Sequence, residues 1–130
     1  MAHEAAEREA TFQRGLLAYR AGRHYEAHEH WESIWQIEED LLQKSFLQGL
    51  IQVAAAMHKL LEMKGPTGAV RLLDKARGRL EAVPEGTGGL WIQRLLEDMA
   101  RARTEIERLG AEGRIDLAVE LIPRMETTTR

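Results

Sequence analysis

Three features of the chain predict an all-α, single-domain helical bundle of about five helices with a C-terminal arm. Apolar residues recur at helical spacing almost throughout. The interruptions fall on glycine and proline. One segment, Phe46 to Met57, is apolar on every side except at Gln48 and Gln52, the pattern of a helix enclosed by others. At 130 residues the chain has room for one core. The bundle is expected over residues 1–110 and the arm over 111–130, its end frayed.

The first helix is expected from about Glu4 to Ala21, with Phe12, Leu16 and Tyr19 on one face and Gly22 as its stop. A second, from about Tyr25 to Glu38, carries Ala27, Trp31, Ile34 and Trp35 on one stripe. Glu38, Glu39 and Asp40 then mark a turn, where carboxylates suit the N-terminal dipole of a third helix from Leu41 to Met63. Gly65 and Pro66 separate it from a fourth, Thr67 to Ala82, with Ala69, Leu72, Leu73, Ala76 and Leu80 on its apolar side. A loop rich in glycine (Pro84 to Gly89) precedes the fifth, Leu90 to Leu109. Beyond it Ile115, Leu117, Val119 and Leu121 alternate with smaller or polar residues. That alternation suits an extended arm whose four apolar residues bury against the bundle or a second copy, a short packed helix or coil being the alternative. Gly22-x-x-Tyr25 and Gly65-x-x-Gly68 open the second members of two helical hairpins, a spacing shared with tetratricopeptide-like repeats. Two hairpins are too few for a solenoid, so a compact bundle is expected.

Composition narrows the function. Apolar residues make up 44% and charged residues 30%, values of an ordinary globular chain. A net charge of −3 is not the electrostatic footprint of a general nucleic-acid binder. No apolar run reaches the roughly 20 residues needed to span a bilayer. The acidic start, without an apolar h-region, is read as cytoplasmic. With no cysteine, thiolate metal sites and cysteine nucleophiles are excluded. Asparagine is absent, which fits a heat-adapted source, and Arg outnumbers Lys 14 to 4.

One constellation has chemical potential. Gln48 and Gln52 lie four apart on a central helix, where an unsatisfied amide costs on the order of 1–3 kcal/mol. If the second and third helices form an antiparallel hairpin about Asp40, His28 meets Gln52 and Glu32 meets Gln48. His24 extends the stripe, and His58 lies near the same end.

At these residues the chain resembles a known family. Ala27-His28-Glu29-His30-Trp31-Glu32-Ser33-Ile34-Trp35 is similar to its A-H-E-x-W-E-x-x-W signature. Phe46 to His58, with Gln48-Gly49-Leu50-Ile51-Gln52 followed by alanines and a histidine, is similar to its second block. The family is the domain-of-unknown-function 309 group of small helical bacterial and plastid proteins, and the resemblance covers about residues 12–82. It implies a helical bundle with no assigned activity. Its motif residues correspond to His28, Glu29, Trp31, Glu32, Trp35, Gln48, Gly49, Gln52 and His58.

Three readings of the cluster compete. As a metal site it would use His24, His28, Glu32 and His58, yet His28 to Glu32 spells H-E-x-x-E and lacks the second histidine of the zinc-protease motif. No Glu-x-x-His pair occurs, so the carboxylate di-iron pattern fails as well. As an acid–base site it would pair Glu29 or Glu32 with His28 or His58 beside an apolar wall of Trp31 and Trp35. As scaffold, a His–Glu–Gln network fixes helix register and the tryptophans belong to the core. The scaffold reading makes the chain a non-catalytic helical interaction module needing no cofactor, its partner another protein or a second copy. A small enzyme or metal-binding protein using His28, Glu32, Gln48, Gln52 and His58 is the alternative.

Overall fold

The structure, a computed structural model, describes residues 2–129, with side chains from Glu4 onward. Five helices follow one another: α1 (Ala2–Arg20), α2 (His24–Trp35), α3 (Leu41–Leu61), α4 (Pro66–Leu80) and α5 (Ile92–Ala111). Each packs chiefly on the next in order. The fold is all-α, and α3 is its central helix, with buried residues spread along its length from Phe46 to Leu60. Missing side-chain bulk sets its distance from α4, since a Cβ on Gly49 would lie 2.5 Å from Leu80 Cγ.

Local chemistry decides where the helices stop. α1 ends on Gly22 at φ 81°, where the Arg23 N–H donates to the Ala18 carbonyl and the Gly22 N–H to that of Tyr19, a left-handed cap suited to glycine. α2 ends at Trp35, three residues before the expected Glu38. There the Glu38 carboxylate accepts from the N–H groups of Glu39 and Asp40 at 3.2 and 3.1 Å, a side-chain bond that competes with continued helix. Asp40 then caps α3 by accepting from the Gln43 N–H at 2.9 Å. α5 starts at Ile92, later than the expected Leu90, because Glu85 accepts from the N–H groups of Ile92 and Gln93. Leu90 itself is extended and bridges Thr127.

Trp31 holds the first three helices together. It is fully buried, its indole N–H donates to the Phe12 carbonyl at 3.2 Å, and its ring stands between Phe12 and Tyr19 at centroid distances of 6.4 and 6.2 Å. Gly15 provides the space, because a Cβ there would overlap the indole. Phe12 also meets Phe46 of α3 at 5.8 Å, so one aromatic chain runs from α2 through α1 to α3. Gly88, at φ 63°, brings the loop before α5 against both phenyl rings.

The arm returns from α5 to α1 and is extended except for a short 3-10 turn at Val119–Leu121. Leu117 is buried, and Ile115 and Leu121 pack partly against the core. Val119, expected to bury with them, is 79% exposed, because the 3-10 turn breaks the two-residue alternation that would have directed it inward. Met125 is buried in its place. The Tyr19 hydroxyl donates to the Pro123 carbonyl at 2.5 Å and Arg20 to the Met125 carbonyl at 2.5 Å. Asp98, a buried carboxylate on α5, accepts from the Arg124 N–H at 3.1 Å and from the Arg101 guanidinium. Residues 126–128, expected to fray, are held instead: the Trp91 N–H donates to the Glu126 carbonyl and the Thr128 N–H to that of Gly89, at 3.0 and 2.7 Å. Arg130, the last of the expected frayed residues, lies outside the described residues.

A methyl group at Gly15 should therefore cost about 1–3 kcal/mol through overpacking, and pairing Gly15→Ala with Trp31→Phe should recover part of that loss. Urea unfolding of the two single variants and the double checks it. Strict additivity would show that the two residues are not in contact energetically.

Candidate functional site

The α2–α3 hairpin sets the geometry of the predicted cluster. Tyr25, at the start of α2, meets His58 near the end of α3 at a ring distance of 5.1 Å. Trp35, at the end of α2, lies under the Lys44 ammonium near the start of α3, 4.6 Å from the ring centroid. The two helices are thus antiparallel neighbours.

Between those contacts the expected hydrogen bonds do not form. His28 Nε2 lies 3.2 Å from Glu32 Oε2 on its own helix, and no hydrogen bond joins His28 to Gln52 or Glu32 to Gln48 among the described residues. His28 Nδ1 and Gln52 Oε1 are both buried and without a hydrogen-bond partner. Glu32 is 43% exposed at its side chain, Glu29 is exposed, and Gln48 is half-buried. Trp31 is sealed in the core, while Trp35 is half-buried beneath Lys44.

Tyr25 organises the histidines, a role that sequence spacing did not assign to it. Its ring stacks on His28 at 5.6 Å as well as meeting His58, so the two imidazoles flank a phenol. His24, one turn before His28, turns inward and packs edge-on against Tyr19 at 5.2 Å. Among the described residues no three His, Asp or Glu side chains come together in a way that can hold a metal ion. Within the candidate set of His24, His28, Glu32 and His58, Tyr25 packs against His28 and His58, and His24 packs against Tyr19.

Two electrostatic perturbations accompany this packing. Burial pushes the His24 imidazole below its ordinary value, and His58 adds to the effect against a smaller opposing pull from Glu62. Burial, with the Asp98 carboxylate nearby, holds the Tyr19 phenol above its usual range. Tyr19 is therefore a neutral hydrogen-bond donor to the arm. Asp98, the charged centre of that clasp, was not singled out in the sequence. Its only signal is an acidic residue on a helix face otherwise made of Leu95, Met99, Ala102 and Ile106.

Fold and site together define a small all-α domain in which Trp31, Ala27, Ala54 and Ala56 are core, with His28, Gln48 and Gln52 half-buried along the hairpin. Residues 12–72 match the family model of a domain of unknown function, DUF309. The match runs from the Phe12 that underlies Trp31 to the first half of α4, so it spans the aromatic chain and the central helix. No curated protein matches the chain.

The Glu32→Ala variant should lose less than about 1 kcal/mol, the scale of a partly exposed ion pair, and not the larger penalty of a stranded Gln48. Thermal or urea unfolding at neutral pH measures this. The His24 effect has a definite sign. Its native pKa lies below the unfolded one, so the unfolded chain takes up protons first, and stability is greatest above about pH 6.5 and falls as pH drops below it. Replacing His24 with Phe should flatten that fall between pH 7 and 5 in a pH series of unfolding curves.

Proposed function

We propose that the chain is a non-catalytic helical interaction module that docks another protein, or a second copy of itself, through the α2–α3 turn. One observation carries this reading. Ile37, Leu41 and Leu42 expose 56, 83 and 40% of their surface within six residues of chain, whereas isolated apolar exposure needs no such grouping. Trp35 and Lys44 border the same end of the hairpin. The motif residues of the candidate site support the turn: Trp31 fastens α2 to α1, Tyr25 and His28 line the hairpin at its other end, and Glu32 lies between, paired with His28.

No helix of the described residues is long and apolar enough to cross a membrane, and we place the module in the cytoplasm of a heat-adapted cell. Support for the second part is the linked ion pairs on and after α5. Arg103 bridges Asp74 and Glu107, and Arg108, Glu112, Arg114 and Asp116 form a continuous chain, the kind of network that gains value with temperature.

A photo-crosslinking residue at Leu41 tests the docking surface in cells. A discrete protein adduct is expected, lost in an Ile37→Glu/Leu42→Glu background and not formed from the exposed Gln93. Its mass distinguishes a second copy from another protein. Equal adducts from Leu41 and Gln93, or none from Leu41, would contradict the proposal.

A further inference from the structure

A second surface feature lies at the other end of α2, independent of the turn. Between the α1–α2 connection and the arm is a cavity of about 660 Å³, within the range that holds small organic ligands. Its walls are mainly apolar, supplied by Tyr19, Val119, Ile122, Pro123 and Met125. Two features at the α2 end favour a negative charge, and a third supplies a polar hydrogen-bonding group. Arg20 gives one N–H to the Met125 carbonyl and has no carboxylate partner among the described residues, which leaves most of its guanidinium fork unspent. The N-cap of α2, Arg23, provides no side-chain acceptor, so the leading N–H groups of that helix lack a cap, and the first-turn carboxylate, Glu26, is exposed and paired with Arg23. His24, only 7% exposed, lines the same cavity and has ring neighbours but no hydrogen bond among the described residues. Of the acidic residues at the rim, Glu126 is paired with Arg94 and Arg124, and Glu120 is exposed to solvent.

We propose that this cavity binds a small amphipathic carboxylate, its hydrocarbon body between Tyr19 and the arm and its head group between Arg20, His24 and the first turn of α2. A planar carboxylate matches the Arg20 fork in two parallel hydrogen bonds, and the apolar walls exclude water from the chain behind it. Because the two walls are α1 and the arm, an occupant joins them, and binding to the folded state alone raises the melting temperature.

Decanoate below its micellar concentration is the probe, titrated into the full chain and followed by amide NMR shifts. Saturable shifts are expected at Gly22, Ile122 and Met125, and decanol, which has the same chain without the charge, should bind at least tenfold more weakly. Arg20→Gln should weaken decanoate at least tenfold. Since Arg20 also ties down the arm, Val119→Glu provides the second variant: its side chain is exposed at the rim, the fold should be unchanged by circular dichroism, and the added carboxylate sets a charge in the apolar wall that receives the hydrocarbon body, with a similar loss. The proposal is overturned if decanoate shifts no cavity residue, if decanol binds as tightly, or if folded Val119→Glu binds decanoate like the wild type.

Discussion

Trp31 needs a partner for its indole N–H, room for two fused rings, and apolar neighbours on both faces. All three come from α1, and the rest of the molecule is arranged around that fact. The Phe12 carbonyl accepts the indole proton, the missing side chain of Gly15 makes the room, and the Phe12 and Tyr19 rings pack against the indole at a tilt. Once α1 is fixed, its two aromatic residues engage further elements. Phe12 continues to Phe46 on the central helix, and Tyr19 directs its hydroxyl to the arm. A single buried side chain thereby links α1, α2, α3 and the C-terminal segment.

The arm solves a second problem. Helices that pack chiefly on their neighbours leave the first and last with little mutual support. The chain closes this gap by returning to α1, with Asp98 on α5 as its anchor. A carboxylate this deeply buried is costly unless it is hydrogen-bonded, and Asp98 takes bonds from the Arg124 backbone and from Arg101 and Arg124 side chains. Its negative charge also strengthens the case for a neutral Tyr19. Clasp and indole seat meet at Tyr19, which contacts Trp31 on one side and Pro123 on the other.

Much of this was legible in the sequence. The five helices follow from periodicity and from Gly22, Asp40 and Pro66 acting locally, and the central place of α3 follows from a helix with only two glutamines on its apolar stretch. What could not be read there depends on side chains that choose among near-equal partners. His28 was expected to bond Gln52 across the hairpin, but Glu32 one turn along the same helix reaches Nε2 first, and an in-helix partner needs no match between helices. Val119 followed a strict alternation until the 3-10 turn changed the period. Asp98 and Tyr25 carry no pattern of their own, since their roles arise from residues 26 positions away on the arm and 33 positions away on α3.

Native-state hydrogen exchange examines the central claim, that the Trp31 seat is the last part of the molecule to open. The amides of Ala27 to Trp31 and of Leu50 to Ala56 should exchange only through global unfolding, with denaturant dependence equal to that of the whole domain. Residues 115–129 should exchange through a smaller, earlier opening. Exchange of the Trp31 amide at a lower free energy than that of the arm would contradict the account.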